Sequence, residues 1–122
     1  MELKDYFESV KGTGILSTAD NSGKVDSAIY SRPHFLEGCI VFIMRDRLSH
    51  KNIESNPHAV YLFIEEGHGY KGKRLYLTKV REEKNSEQIA SLKRREQEYE
   101  SEEDRFLVYF SLDQERPLVG DA

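Results

Sequence analysis

The sequence predicts a mainly β fold (β plus α): a six-stranded antiparallel barrel with short flanking helices. Three observations carry this. Two apolar runs, Cys39-Ile40-Val41-Phe42-Ile43-Met44 and Val60-Tyr61-Leu62-Phe63-Ile64, read as strands covered on both faces, as a closed barrel provides. Residues 73–80 alternate, with Leu75 and Leu77 on one face and Arg74, Tyr76, Thr78 and Val80 on the other. Turn-forming stretches such as Asn21-Ser22-Gly23 and Glu37-Gly38 separate the strand-like runs.

Taken in order, residues 2–10 place Leu3, Tyr6, Phe7 and Val10 at helical spacing, with Gly12 as a natural stop. Residues 13–20 form the first strand, around Ile15-Leu16-Ser17-Thr18-Ala19. A longer strand follows over residues 24–36. Val25, Ser27, Ile29 and Ser31 share one face, and Asp26, Ala28, Tyr30 and Arg32 the other. Pro33 has no ladder donor, so it implies an edge, a bulge or a break. Glu37-Gly38 then turns the chain into the strand over residues 39–44, completing a three-strand meander.

A basic turn, Met44-Arg45-Asp46-Arg47-Leu48-Ser49-His50-Lys51, opens a short helix that Pro57 ends, because the residue before proline is pushed out of the helical region. The run through Ile64 comes next, then the loop Gly67-His68-Gly69 and the alternating strand. Residues 83–102 read as a charged outer helix with Ile89, Leu92 and Tyr99 on a narrow apolar stripe. The last strand is Phe106-Leu107-Val108-Tyr109-Phe110, followed by a polar tail around Pro117.

At 122 residues the chain is one domain. Hydrophobic residues at 38% and charged residues at 33% give a globular balance rather than a disordered one. No apolar run is long enough to span a membrane, and the N-terminus lacks the pattern of a signal peptide. The single cysteine, Cys39, rules out a disulfide framework and reads as a small core residue. A cytoplasmic location is expected.

The net charge of −4 argues against general nucleic-acid binding. The basic ribbon of Tyr70, Lys71, Lys73, Arg74, Tyr76, Lys79 and Arg81 suits either single-strand stacking or the outer face of a strand. Four histidines lack zinc-site spacing, although one imidazole, such as His34 or His68, suffices for a haem. No nucleophile elbow or phosphate loop is present, and no catalytic acid or base stands out.

The basic turn carries the functional signal. The first N–H groups of a helix have no internal partners and meet the positive end of its dipole, so a strand that ends there can cradle an anion. Arg32, Arg45, Arg47 and Lys51 offer full charges, and Ser49 and His50 further donors. The alternative reading is an ordinary helix capped by Asp46 or Ser49, with its basic side chains in water. An anion anchor beside a wall containing Tyr30 and Met44, with free backbone groups near Pro33, suits a mononucleotide cofactor.

The order of these pieces resembles the FMN-binding split barrels related to pyridoxamine 5′-phosphate oxidase, over nearly the whole chain. The matching stretches are Ser31-Arg32-Pro33-His34-Phe35, Gly38 with Ile40-Val41-Phe42-Ile43-Met44, Ser49-His50-Lys51, Asn56-Pro57-His58-Ala59-Val60 and Gly72-Lys73-Arg74-Leu75-Tyr76. The resemblance implies a split β-barrel and a homodimer with two FMN sites at the subunit interface. Tyr30, Ser31, Arg32 and Pro33 would border the flavin, with Ile43, Met44 and Arg45 beside them. Ser49, His50 and Lys51 would hold the phosphate, and Lys73 would contact the cofactor. A flavin-dependent oxidoreductase with a small-molecule substrate or electron donor is the implied function. Deazaflavin and haem binding occur on the same fold.

Overall fold

The computed structural model describes residues 1–92 and 103–120. The elements are α1 (Leu3–Ser9), β1 (Gly12–Ala19), β2 (Val25–Ile29), β3 (His34–Leu36), β4 (Cys39–Arg45), α2 (Leu48–Ser55), β5 (His58–Glu65), β6 (Gly72–Lys84), α3 (Glu87–Leu92) and β7 (Arg105–Pro117). All seven strands form one antiparallel sheet in the order β2-β1-β5-β6-β7-β4-β3.

The mainly β expectation holds, with one strand more than the six expected. The extra strand comes from the break at Pro33. Residues 24–36 do not form one strand. Their first part pairs with β1 and their last part with β4, so the two halves lie at opposite edges of the sheet. The expected meander is therefore split, and residues 30–33 link the two edges along the chain instead of by a ladder. Within this link the Tyr30 N–H donates to Gly14 O at 3.0 Å. The buried Tyr61 hydroxyl lies 3.3 Å from Tyr30 O and 3.1 Å from Ser31 O. Gly14 is required beneath this contact, since a Cβ there would meet the Tyr61 hydroxyl.

The β3–β4 hairpin follows from Glu37-Gly38, both at positive φ (53° and 75°), as a primed two-residue turn needs. The two long strands depart from expectation. β6 continues to Lys84 and takes up the start of the expected outer helix. β7 continues to Pro117 and takes up the expected polar tail. Each pairs with the other along its length through two bulges, which alternation alone does not reveal. Of the expected helix, Ile89 is buried and Leu92 half-buried, whereas Tyr99 falls outside the described residues.

The barrel interior is packed by side chains from α1 and most strands, including Phe7, Leu16, Phe42, Met44, Tyr61, Phe63, Leu75 and Phe110. Phe7 from α1 meets Tyr6 and Phe63 edge-on at 5.0 Å each. A smaller cluster of Val41, Leu107, Tyr109 and Ile89 packs on the outer face of β4 and β7, with Cys39 half-buried at its edge. These two strands are covered on both faces, as their continuous apolar runs imply. β5 is not: Ala59, Tyr61 and Phe63 point inward, while Val60, Leu62 and Ile64 remain partly or largely exposed.

Candidate functional site at the start of α2

β4 ends at Arg45, and α2 begins after Arg47, which has an extended backbone (φ −136°). Arg47 is the N-cap residue and makes no side-chain capping hydrogen bond, so the ordinary-cap reading through Asp46 or Ser49 is not what the helix adopts. Its first N–H groups thus retain the donor character that favours an anion. α2 is fixed from below by apolar Ile53 and by the buried pair Asn52 Nδ2 to Thr18 Oγ1, at 3.0 Å.

Around this helix start the structure gathers Tyr30, Arg45, Arg47 and Ser49. The Tyr30 phenol lies near the Ser49 hydroxyl and feels the Arg47 charge. Burial raises its pKa, and these two neighbours only partly offset that. Arg47 Nε lies 3.0 Å from Glu103 Oε1, and Arg45 Nη1 lies 3.8 Å from Glu103 Oε2. The hydrogen bond from Arg47, with the charges of Arg47, Arg45 and Arg105, holds the Glu103 carboxyl below the usual range. Against Arg45, Arg47 and Arg105 stand Glu103 and, within the turn itself, Asp46, which leaves an excess of one positive charge among these groups. Lys51 is exposed one turn further along α2.

The other candidates lie elsewhere or face inward. Ile43 and Met44 point to opposite sides of β4, Ile43 towards the outer cluster and Met44 fully buried in the barrel. His50 is 1% exposed, stacked on Phe106 with centroids 3.7 Å apart. Its Nε2 lies 3.0 Å from Glu82 Oε1, which also accepts from Lys79 Nζ at 2.6 Å. His50 Nδ1 has no hydrogen-bond partner among the described residues and lies 3.4 Å from Glu54 Oε1 without hydrogen-bond geometry. Burial pushes the Glu82 carboxyl up, but the bonds from Lys79 and His50 together outweigh it and hold the pKa below its ordinary value.

Arg32 Nη1 donates to Phe7 O at 2.8 Å and so caps the last turn of α1, while Ser31 is exposed and Pro33 buried. Lys73 is paired with Glu115 at 2.8 Å and lies 4.7 Å from the Tyr6 ring centre. It sits at the start of β6, eleven residues from Lys84, whose partner Phe106 faces Met44. At ~3.3 Å per residue, that is up to about 36 Å along the strand. Within one chain Lys73 does not meet the basic turn.

The basic ribbon is largely matched internally. Lys79 pairs with Glu82, and Arg81 with Glu37 and Glu83. Arg74 donates to the carbonyls of Pro117 and Gly120. Glu82 and Glu103 are the site-region residues that sequence reasoning missed. They lie 32 positions from His50 and 56 from Arg47, so no local pattern could flag them. Among the described residues, no group of three His, Cys, Asp or Glu side chains is placed to hold a metal ion, and no helix is long and apolar enough to cross a membrane.

No family model matches the sequence, and no curated protein matches it. Solved structures do match the fold. An F420 reductase superposes with a TM-score of 0.74 at 12% identity, covering 95% of this chain and 98% of that one. An FMN-binding protein from Syntrophomonas wolfei subsp. wolfei gives 0.69 at 13% identity, covering 98% and 85%. A putative pyridoxamine 5′-phosphate oxidase from Listeria innocua gives 0.65 at 17% identity, covering 96% and 98%. The chain therefore has the split-barrel fold that these proteins share.

Proposed function

We propose that this chain is a cytoplasmic, homodimeric flavoprotein that binds FMN and serves as an oxidoreductase for a small-molecule substrate or electron donor. The observation that carries the reading is the uncapped start of α2, surrounded by Arg45, Arg47, Ser49 and Lys51 on a split barrel. These residues fit a phosphate: backbone N–H groups, a hydroxyl and several cations converge where the helix dipole is positive. Tyr30 borders the same region and suits the edge of a flat heterocycle.

In this reading Arg47 and Lys51 hold the phosphate, and Ser49 orients it. Tyr30 keeps its proton near neutral pH, because burial disfavours the phenolate, and so offers a hydrogen-bond donor beside the ring. The flavin supplies hydride or electron transfer, and the protein sets its orientation and potential. The second copy is supported by the outer sheet face, where Ile29, Ile15 and Leu62 are in register and Ile29 is 72% exposed. Lys73, remote from the turn within one chain, would then reach a cofactor only from the partner.

A deazaflavin is the second reading, favoured by the similarity in fold to an F420 reductase. The deciding experiment is the absorption spectrum of freshly purified protein, with mass identification of what acid treatment releases. Release of FMN supports the first reading and release of a deazaflavin the second. A colourless protein that binds neither would refute both.

A further inference from the structure

An open groove of about 380 Å³ lies on the outer face of the sheet, away from the α2 turn. Its walls are mainly apolar: Ala19, Val25, Val60 and Leu77, with the Tyr76 ring alongside. At its rim three side chains form a chain of hydrogen bonds. The Thr78 hydroxyl donates to Asp113 Oδ2 at 2.5 Å, and His58 Nδ1 lies 3.2 Å from the same Thr78 oxygen.

This order fixes the tautomer. Thr78 has one proton, and the carboxylate of Asp113 takes it. The Thr78 oxygen therefore accepts from His58, so Nδ1 carries the hydrogen and Nε2 presents a lone pair. The imidazole is held by its backbone as well. The His58 N–H donates to Asn56 Oδ1 at 3.1 Å, and the preceding Pro57 carbonyl accepts from Lys79 N at 2.8 Å. Asp113 reaches Thr78 because it is the extra residue where β7 bulges against β6 between Tyr76 and Leu77.

We propose that this groove is a second ligand site, which takes a flat, uncharged ring bearing an acidic hydroxyl, that is, a phenol-class ligand. The apolar walls and Tyr76 receive the ring, and His58 Nε2 accepts the hydroxyl hydrogen. An anion is disfavoured by the Asp113 carboxylate, and a cation by the mainly apolar walls, which replace none of its hydration. The ligand keeps its O–H bond and donates it to Nε2, so no charge is created in the groove. None of the residues assigned to the flavin phosphate lines this groove, although Val25 and Val60 share the outer sheet face with Ile15, Ile29 and Leu62, so a second copy seated there would border it.

The test is titration of the full-length, ¹⁵N-labelled protein at neutral pH with para-cresol, which stays protonated there, and, in parallel, with its methyl ether para-methylanisole, which lacks the hydroxyl. Saturable shifts at Val60, Tyr76 and His58 are expected for the phenol, with affinity about tenfold weaker for the ether, the worth of one hydrogen bond to a positioned acceptor. His58→Gln is expected to bring the phenol down to the level of the ether, and Thr78→Val to weaken it about threefold. A long-range ¹H–¹⁵N spectrum of the wild type is expected to place the His58 proton on Nδ1. Equal binding of phenol and ether, shifts confined to other surfaces, or a proton on Nε2 would each overturn the proposal, and none of these readouts needs a variant that folds.

Discussion

Asn52 holds the helix on which the candidate anion site depends, and its removal can be worked through from the structure. Asn52 is 5% exposed, Thr18 is 3% exposed, and Asn52 Nδ2 lies 3.0 Å from Thr18 Oγ1. Asn52→Ala deletes a bond worth about 1 kcal/mol net and leaves a buried hydroxyl with its partner gone, a further 1–3 kcal/mol or so. The expected loss is about 2–4 kcal/mol. For a domain of this size that lowers Tm by roughly 10 °C. Thr18→Val strands the Asn52 amide instead and is expected to cost about 2 kcal/mol. In the double variant neither group is left unpaired, so its loss falls short of the sum by about 1–2 kcal/mol.

The assay is urea denaturation followed by circular dichroism, since the chain has no Trp. Protein concentration is held constant, because a dimer makes stability concentration-dependent. Additivity of the two substitutions within about 0.5 kcal/mol would refute the reasoning. It would mean that α2 is placed by apolar contacts such as those of Ile53, and that the buried pair is incidental.

Other perturbations test neighbouring parts of the argument. Phe7→Ala removes a ring that is 1% exposed and is expected to cost about 3–5 kcal/mol, read as a shift in the denaturation midpoint at unchanged slope; a loss below about 1 kcal/mol would mean that α1 is only loosely docked. Lys51→Ala and Arg47→Ala are each expected to weaken FMN binding about tenfold or more, with a steeper salt dependence in the wild type than in either variant; retention of full affinity by both would remove the basic turn from the cofactor site. The Glu82 carboxyl has a folded-state pKa below its ordinary value of 4.5, so its stabilising contribution is complete above that value and is lost as pH falls through the lower folded-state pKa. Glu82→Gln should therefore flatten the acid side of the stability profile and leave its slope at higher pH unchanged, as followed by denaturation midpoints across an acid titration. Tyr61→Phe removes the hydroxyl at the link between β2 and β3, and faster amide exchange confined to residues near 30–33 is expected.

Much of the architecture was legible in the sequence, because strands announce themselves through period and turn chemistry. The apolar runs of β4 and β5, the alternation of Leu75 and Leu77, the Glu37-Gly38 hairpin and the break at Pro33 are all local properties of the chain. The basic residues around the start of α2 were also legible, since arginines and a lysine at a strand-to-helix junction are written in consecutive residues. Which side of each strand would be covered, and what each polar side chain would meet, was not.

Sheet order sends β2 and β3 to opposite edges, carries β6 and β7 beyond their expected ends, and brings Glu82 and Glu103 to His50 and Arg47. Those encounters arise from pairings between distant segments, where ladder hydrogen bonds and burial outweigh local preference. Thus the sequence alone placed His50 among the candidate phosphate ligands, whereas the tertiary structure buries it against Phe106 and a carboxylate. It also turned an unremarkable His58 into a base with a fixed tautomer. Local sequence determines which elements form and which residues could bind an anion. Only the packed barrel decides which of those residues reach the surface together, because that depends on strand register and on partners far apart in the chain.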